Sequence, residues 1–89
     1  DCNVWYWTRI QKERLSSKKL TKKIKTPFIV TKKLLSEKGN KKMIVMHPLP
    51  RVGEISTEVD SDSRALYCQQ AKNGLYIRMA LLALILKKI

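Results

Sequence analysis

Apolar residues fall in this chain as short runs set between charged stretches, and the spacing within each run predicts its element. Val4-Trp5-Tyr6-Trp7 is β-branched and aromatic, the composition of a short strand. Over residues 16–25, Leu20 and Ile24, with Leu15 just ahead, recur four or five apart. They predict a weakly amphipathic helix whose first turn Ser16 or Ser17 caps. Thr26-Pro27 interrupts, and Phe28-Ile29-Val30 reads as a second short strand. Thr31 is a good N-cap for a helix over residues 32–37, which Gly39-Asn40 ends. Met43-Ile44-Val45-Met46 is wholly apolar, with lysines before it and Pro48 and Pro50 after. That pattern predicts a buried strand of the parallel type, stopped where proline cannot donate to a ladder. Strand, helix, strand, helix and strand in alternation argue for an α/β fold with a parallel sheet.

Residues 51–62 hold Ser, Thr, Asp and Gly and read as a long functional loop at the carboxyl end of that strand. In open α/β sheets ligands bind at this edge. Asp60 or Asp62 is placed to cap a helix starting near Ser63, and Asn73-Gly74 predicts a bend in it. Residues 75–86 then resume as helix, apolar nearly all round apart from Tyr76 and Arg78. Such a helix needs cover on every side. Its large aliphatic side chains are worth about 1.5–3 kcal/mol each when buried, so roughly 10–20 kcal/mol is at stake. The pattern predicts a piece of something larger.

Composition narrows the setting. With 89 residues the chain allows one small domain, and 44% hydrophobic content suffices for a core. Cys2 and Cys68 show neither metal spacing nor a disulfide framework, which suits a reducing compartment. The chain opens at Asp1 without a signal-like region, and its longest apolar run, residues 79–86, is far short of the roughly 20 a membrane helix needs. A soluble, cytoplasmic protein with no membrane partner is expected. The net charge of +12 comes mostly from lysine pairs among polar residues. Few arginines or aromatics lie between them to read or stack on bases, so a solvated face is the first reading and nucleic acid the alternative. His47 is the single histidine and reads as structural, with no Ser-His or Cys-His nucleophilic pair.

Three stretches carry a resemblance. D-x-x-x-x-Y-x-T-R-I-Q-K-E-R spans residues 1–14, and H-P-L-P-R-V-x-E spans 47–54 within a matching block over 43–62. A final block, A-x-Y-x-Q-Q-A-x-N-G-L-Y-x-R-x-A-L-L-A-L, spans 65–84. In order and spacing they resemble the carboxyl-terminal third of aspartate carbamoyltransferase, and the last block favours this enzyme over ornithine carbamoyltransferase.

The resemblance implies part of a parallel-sheet aspartate-binding domain over residues 1–72. Residues 73–89 would form a long carboxyl-terminal helix packing on a carbamoyl-phosphate domain that these residues do not include. The substrates would be carbamoyl phosphate and L-aspartate, in pyrimidine synthesis, with no cofactor or metal, in a homotrimer whose sites are shared between subunits. By position, Arg9 and Gln11 would hold the aspartate carboxylates, with Glu13 and Glu54 orienting the Arg9 guanidinium. A planar fork of donors matches a carboxylate. Leu49 and Pro50 would offer backbone carbonyls to the carbamoyl NH2, and the Leu49–Pro50 bond is expected to be cis. No catalytic residue is expected here, because the phosphate-binding S-T-R-T loop and the catalytic histidine belong to the other domain. Half a site would not turn over alone. Gly53 departs from the family, which usually has an acidic residue there. A small basic nucleic-acid-binding or interaction module, or an inactive gene remnant, are the competing readings.

Overall fold

The computed structural model describes residues 2–9 and 28–88. The 16–25 helix, Gln11 and Glu13 lie outside them. Strand β1 (Val4–Tyr6) pairs in parallel with β2 (Ile44–Met46), Val4 against Ile44, Trp5 against Val45 and Tyr6 against Met46. The helix between them is α1 (Lys32–Lys38), and the long α2 (Tyr67–Ile85) follows. This is the expected α/β arrangement with a carboxyl-terminal helix.

The central strand is buried by alternation. Met43, Val45 and His47 point into the core, while Ile44 and Met46 are half-covered. Strand β2 is bonded on both sides: Ile44 and Met46 bond to the β1 side, and Val45 bonds to the Arg64–Leu66 backbone on the other. There the Val45 N–H donates to Arg64 O (2.7 Å) and its carbonyl accepts from Leu66 N–H (3.0 Å). Val30, Leu35, Ile55, Val59 and Tyr67 complete the core, with Trp5 and Trp7 packed against it.

Helix α1 begins as its sequence predicts. Thr31 is extended (φ −119°, ψ 162°) and its Oγ1 accepts the Leu34 N–H at 3.1 Å. Gly39 ends it at a close approach: a Cβ there would sit 2.6 Å from the Leu35 carbonyl oxygen and 2.7 Å from the Met43 sulfur. Arg64 also reaches this end, donating to Leu35 O at 3.0 Å.

Five expectations are corrected. Phe28 to Val30 is not a strand: Val30 alone makes a parallel bridge to Ile55, because the chain must turn into α1 directly afterwards. Residues 51–62 are not all loop; Thr57–Ser61 forms a 3-10 turn anchored by buried Val59. The last helix starts at Tyr67 rather than near Ser63, since Ala65 is held extended by its bridge to Val45. Neither aspartate caps it: Asp60 binds Arg51 and Tyr67, and Asp62 binds Arg64. Finally, α2 runs unbroken through Asn73 and Gly74. One glycine costs about 1 kcal/mol against alanine, too little to break a helix of this length.

The outer half of α2 is uncovered, as its pattern predicts: Leu75, Leu82 and Ile85 are all more than half exposed. No described helix is long and apolar enough to cross a membrane. Among the described residues no three His, Cys, Asp or Glu side chains gather as a metal site, and Cys2 and Cys68 are free thiols.

Candidate functional site

Parallel pairing brings two carboxyl ends side by side. The ladder continues one step past β1, where Trp7 N–H donates to Met46 O at 2.9 Å. Beyond it both chains leave the sheet, and Arg9 and Leu49 each stand three residues past the last paired position. Arg9 is exposed there. The Leu49–Pro50 bond is cis, as expected, and Leu49 itself has φ 49°, a left-handed conformation uncommon for residues other than glycine.

His47 holds this turn. Only 1% exposed, it accepts the Leu49 N–H on Nδ1 at 2.8 Å. A backbone N–H can only donate, so Nδ1 carries no proton and Nε2 carries the ring's hydrogen. Nε2 then donates to Glu54 Oε1 at 2.7 Å, while Glu54 Oε2 accepts the Val52 N–H at 2.8 Å. Burial pushes the Glu54 carboxyl up, but bonds from its own N–H, from Val52 and from His47 outweigh it and hold the carboxyl below its ordinary value. His47, read from the sequence as structural, is buried at the centre of these bonds.

Gln70 ties the arrangement to α2. Its Oε1 accepts the His47 N–H and its Nε2 donates to the Tyr6 hydroxyl, each at 3.0 Å. On the far side of the turn, Arg51 forks onto Asp60 and lies over the Tyr67 ring, 5.7 Å from its centroid. Hydrogen bonds from Arg51 and then Tyr67 hold the Asp60 carboxyl down at about 2. Burial and then Asp60 push the Tyr67 phenol up to about 12. A reader of the sequence meets Arg51, Asp60 and Tyr67 as separate letters; only the 3-10 turn brings them together.

Gly53 explains one departure. Its φ of 88° suits glycine and strains any L side chain, so the loop here takes a path that an acidic residue would resist. An open groove of about 560 Å³ lies beside the turn, walled by Tyr6, Met46, Pro48, Gln70, Ile77 and Arg78 among others. Leu49, Pro50 and Arg9 are not in its walls, so the groove neighbours the turn rather than containing it.

Known proteins resemble this chain in sequence and fold. A family model described as aspartate/ornithine carbamoyltransferase, Asp/Orn binding domain, matches residues 1–85. The multifunctional protein CAD of Squalus acanthias is 57% identical over 88 residues, covering 99% of this chain and 4% of the relative. The aspartate carbamoyltransferase catalytic subunit of Alkaliphilus oremlandii is 51% identical over 89 residues, covering 100% of this chain and 27% of the relative. Among solved structures, aspartate transcarbamoylase from Trypanosoma cruzi in complex with carbamoyl phosphate and aspartate superposes with a TM-score of 0.77 at 42% identity. That match covers 90% of this chain and 26% of the other. The chain therefore spans 4% and 27% of the length of the two curated relatives named. With that family model matched over residues 1–85 and a relative 51% identical along the whole chain, the chain belongs to the aspartate/ornithine carbamoyltransferase family.

Proposed function

We propose that this chain forms part of the aspartate site of an aspartate carbamoyltransferase, which moves the carbamoyl group of carbamoyl phosphate to the amino nitrogen of L-aspartate in de novo pyrimidine biosynthesis. The amino nitrogen attacks the carbamoyl carbon, a C–N bond forms, the bond to the phosphate oxygen breaks, and the amine gives up a proton. The products are carbamoyl aspartate and phosphate. Arg9 and Gln11 hold the aspartate carboxylates, Glu13 and Glu54 steady the Arg9 guanidinium, and the Leu49 and Pro50 carbonyls accept from the carbamoyl NH2. Positioning of two substrates carries most of such a reaction.

The observation that carries this reading is the parallel alignment of β1 and β2, which sets the arms bearing Arg9 and Leu49 off from one edge of the sheet. The Trypanosoma cruzi enzyme that superposes on the chain is described with carbamoyl phosphate and aspartate bound, which supports the same two substrates here. The working enzyme is a homotrimer, and residues 73–89 pack against its carbamoyl-phosphate domain. The groups for the phosphate lie in that domain, so the 89 residues alone do not turn over.

The test is an assay of carbamoyl aspartate formation by the chain alone and by the chain joined to its upstream coding region. Activity in the joined protein and none in the chain is expected. A joined protein that folds, holds both substrates at saturating concentration and forms no carbamoyl aspartate would overturn the reading.

A further inference from the structure

The Leu49 turn needs a holder. A leucine in the left-handed region costs about 1–2 kcal/mol, and such a conformation persists only where its surroundings over-determine it. The Leu49 side chain packs against the core, and one ring holds its N–H. The His47 imidazole is buried, and both its nitrogens are spent: Nδ1 on the Leu49 N–H at 2.8 Å, Nε2 on Glu54 at 2.7 Å. Its own N–H is fixed by Gln70, so the ring does not drift with the strand end. Glu54 in turn fastens the Val52 N–H, which closes the loop of bonds around Leu49, Pro50 and Arg51.

We infer that His47 is a two-sided positioning residue: Nδ1 sets the turn that presents the Leu49 carbonyl, and Nε2 sets the Glu54 carboxylate. One side serves the carbamoyl group and the other, through Glu54 and Arg9, serves aspartate; this rests on the functional reading above. His47 touches neither substrate. It acts by fixing two groups that do, or that steady ones that do. A residue that merely filled the core would affect both substrates alike when replaced.

The two nitrogens are separable by substitution in the full enzyme carrying this segment. In His47→Asn the amide oxygen stands near the place of Nδ1 and accepts the Leu49 N–H as an Asx-turn does, but the side chain is too short for Glu54. In His47→Gln the amide nitrogen reaches the place of Nε2 and donates to Glu54, and the Nδ1 acceptor is lost. One lost hydrogen bond corresponds to about tenfold in affinity. His47→Gln should therefore raise the KM for carbamoyl phosphate about tenfold and move that for aspartate less than about threefold, with His47→Asn giving the reverse.

Glu54→Gln provides a variant that keeps the histidine. Whichever way its amide turns, a donor faces either His47 Nε2–H or Val52 N–H. The turn should loosen and the KM for carbamoyl phosphate should rise, even though Glu54 belongs to the aspartate side. The inference is overturned if both histidine variants shift the two KM values alike, or if Glu54→Gln leaves carbamoyl phosphate unmoved. Where the wild-type enzyme makes carbamoyl aspartate and Arg9→Ala weakens aspartate, the functional reading stands and such results remove the histidine inference alone. A wild-type enzyme with no such activity removes both.

Discussion

Arg51 and Asp60 meet through two parallel hydrogen bonds, with Nη2 2.7 Å from Oδ2 and Nη1 on Oδ1, and Tyr67 closes on the same carboxylate. The pair bolts the exit of the Leu49 turn to the 3-10 turn at Thr57–Ser61. Asp60 therefore titrates at about 2 rather than at 3.8. A depressed carboxyl stabilises the fold at pH above its unfolded value, and that contribution disappears as pH falls through the folded value.

The first prediction follows from that sign. In the full enzyme, wild type should melt above Asp60→Asn at neutral pH, and the gap should close between about pH 4 and 2. The Asp60 side chain keeps 44% exposure, so solvent screens the pair and the gap should correspond to about 1 kcal/mol or less. Tyr67 gives the opposite arm. Its phenol is raised to about 12, so its share is present below pH 10 and lost as pH climbs through 12. Melting curves against pH for wild type, Asp60→Asn and Tyr67→Phe measure both. A gap that is constant from pH 4 to pH 2 contradicts the Arg51–Asp60 assignment.

Arg9 supplies the second prediction. In the full enzyme, Arg9→Ala should chiefly damage aspartate use, and Arg9→Lys should be nearly as harmful, since a point ammonium cannot reproduce a planar fork. A charge-assisted bond is worth about 1.5–3 kcal/mol, which puts the loss at roughly tenfold or more in aspartate KM. Saturation curves at fixed carbamoyl phosphate decide it: unchanged aspartate KM and turnover in Arg9→Ala would remove Arg9 from the site.

The third concerns the isolated 89 residues. Leu75, Ile77, Met79, Leu81, Leu82 and Ile85 all expose more than half their surface along α2. A contiguous apolar surface of this kind marks an interface or an aggregation hazard. The isolated chain should bind a hydrophobic dye and associate as its concentration rises. A monomer that stays dye-silent and melts cooperatively would show that the helix finds its cover within the chain, and would favour a free-standing module.

Much of this was legible beforehand, for identifiable reasons. The β1 and β2 runs, the Thr31 cap and the exposed apolar helix are local properties of side chains, and local patterns carry them. The start of α2 was not legible, because the Ala65 bridge to Val45, twenty residues away in sequence, overrides the capping aspartates. Asp60 looked like a cap because its true partners, Arg51 and Tyr67, are brought to it by folding, while Asp62 turns to its near neighbour Arg64. His47 was read as structural from its isolation among possible catalytic partners. That both its ring nitrogens would be spent on the turn required the fold. Gln11 and Glu13, the other residues proposed for this arm, lie outside the described residues.

The β1–β2 register acts as a ruler. Every partner on β2 is numbered forty beyond its mate on β1, from Val4 with Ile44 to Tyr6 with Met46, so Arg9 and Leu49 keep the same count. The chain joining the two strands does not enter that measure. Val30 and Leu35 within it are held by the core, which is a separate constraint from the register. The few residues between each strand and its arm do enter that measure. Adding or removing one shifts an arm by one residue against the other, and the arm would then present its neighbour in place of itself. An insertion just past either strand end thus moves one arm against the other, whereas one between the strands leaves that pairing unchanged.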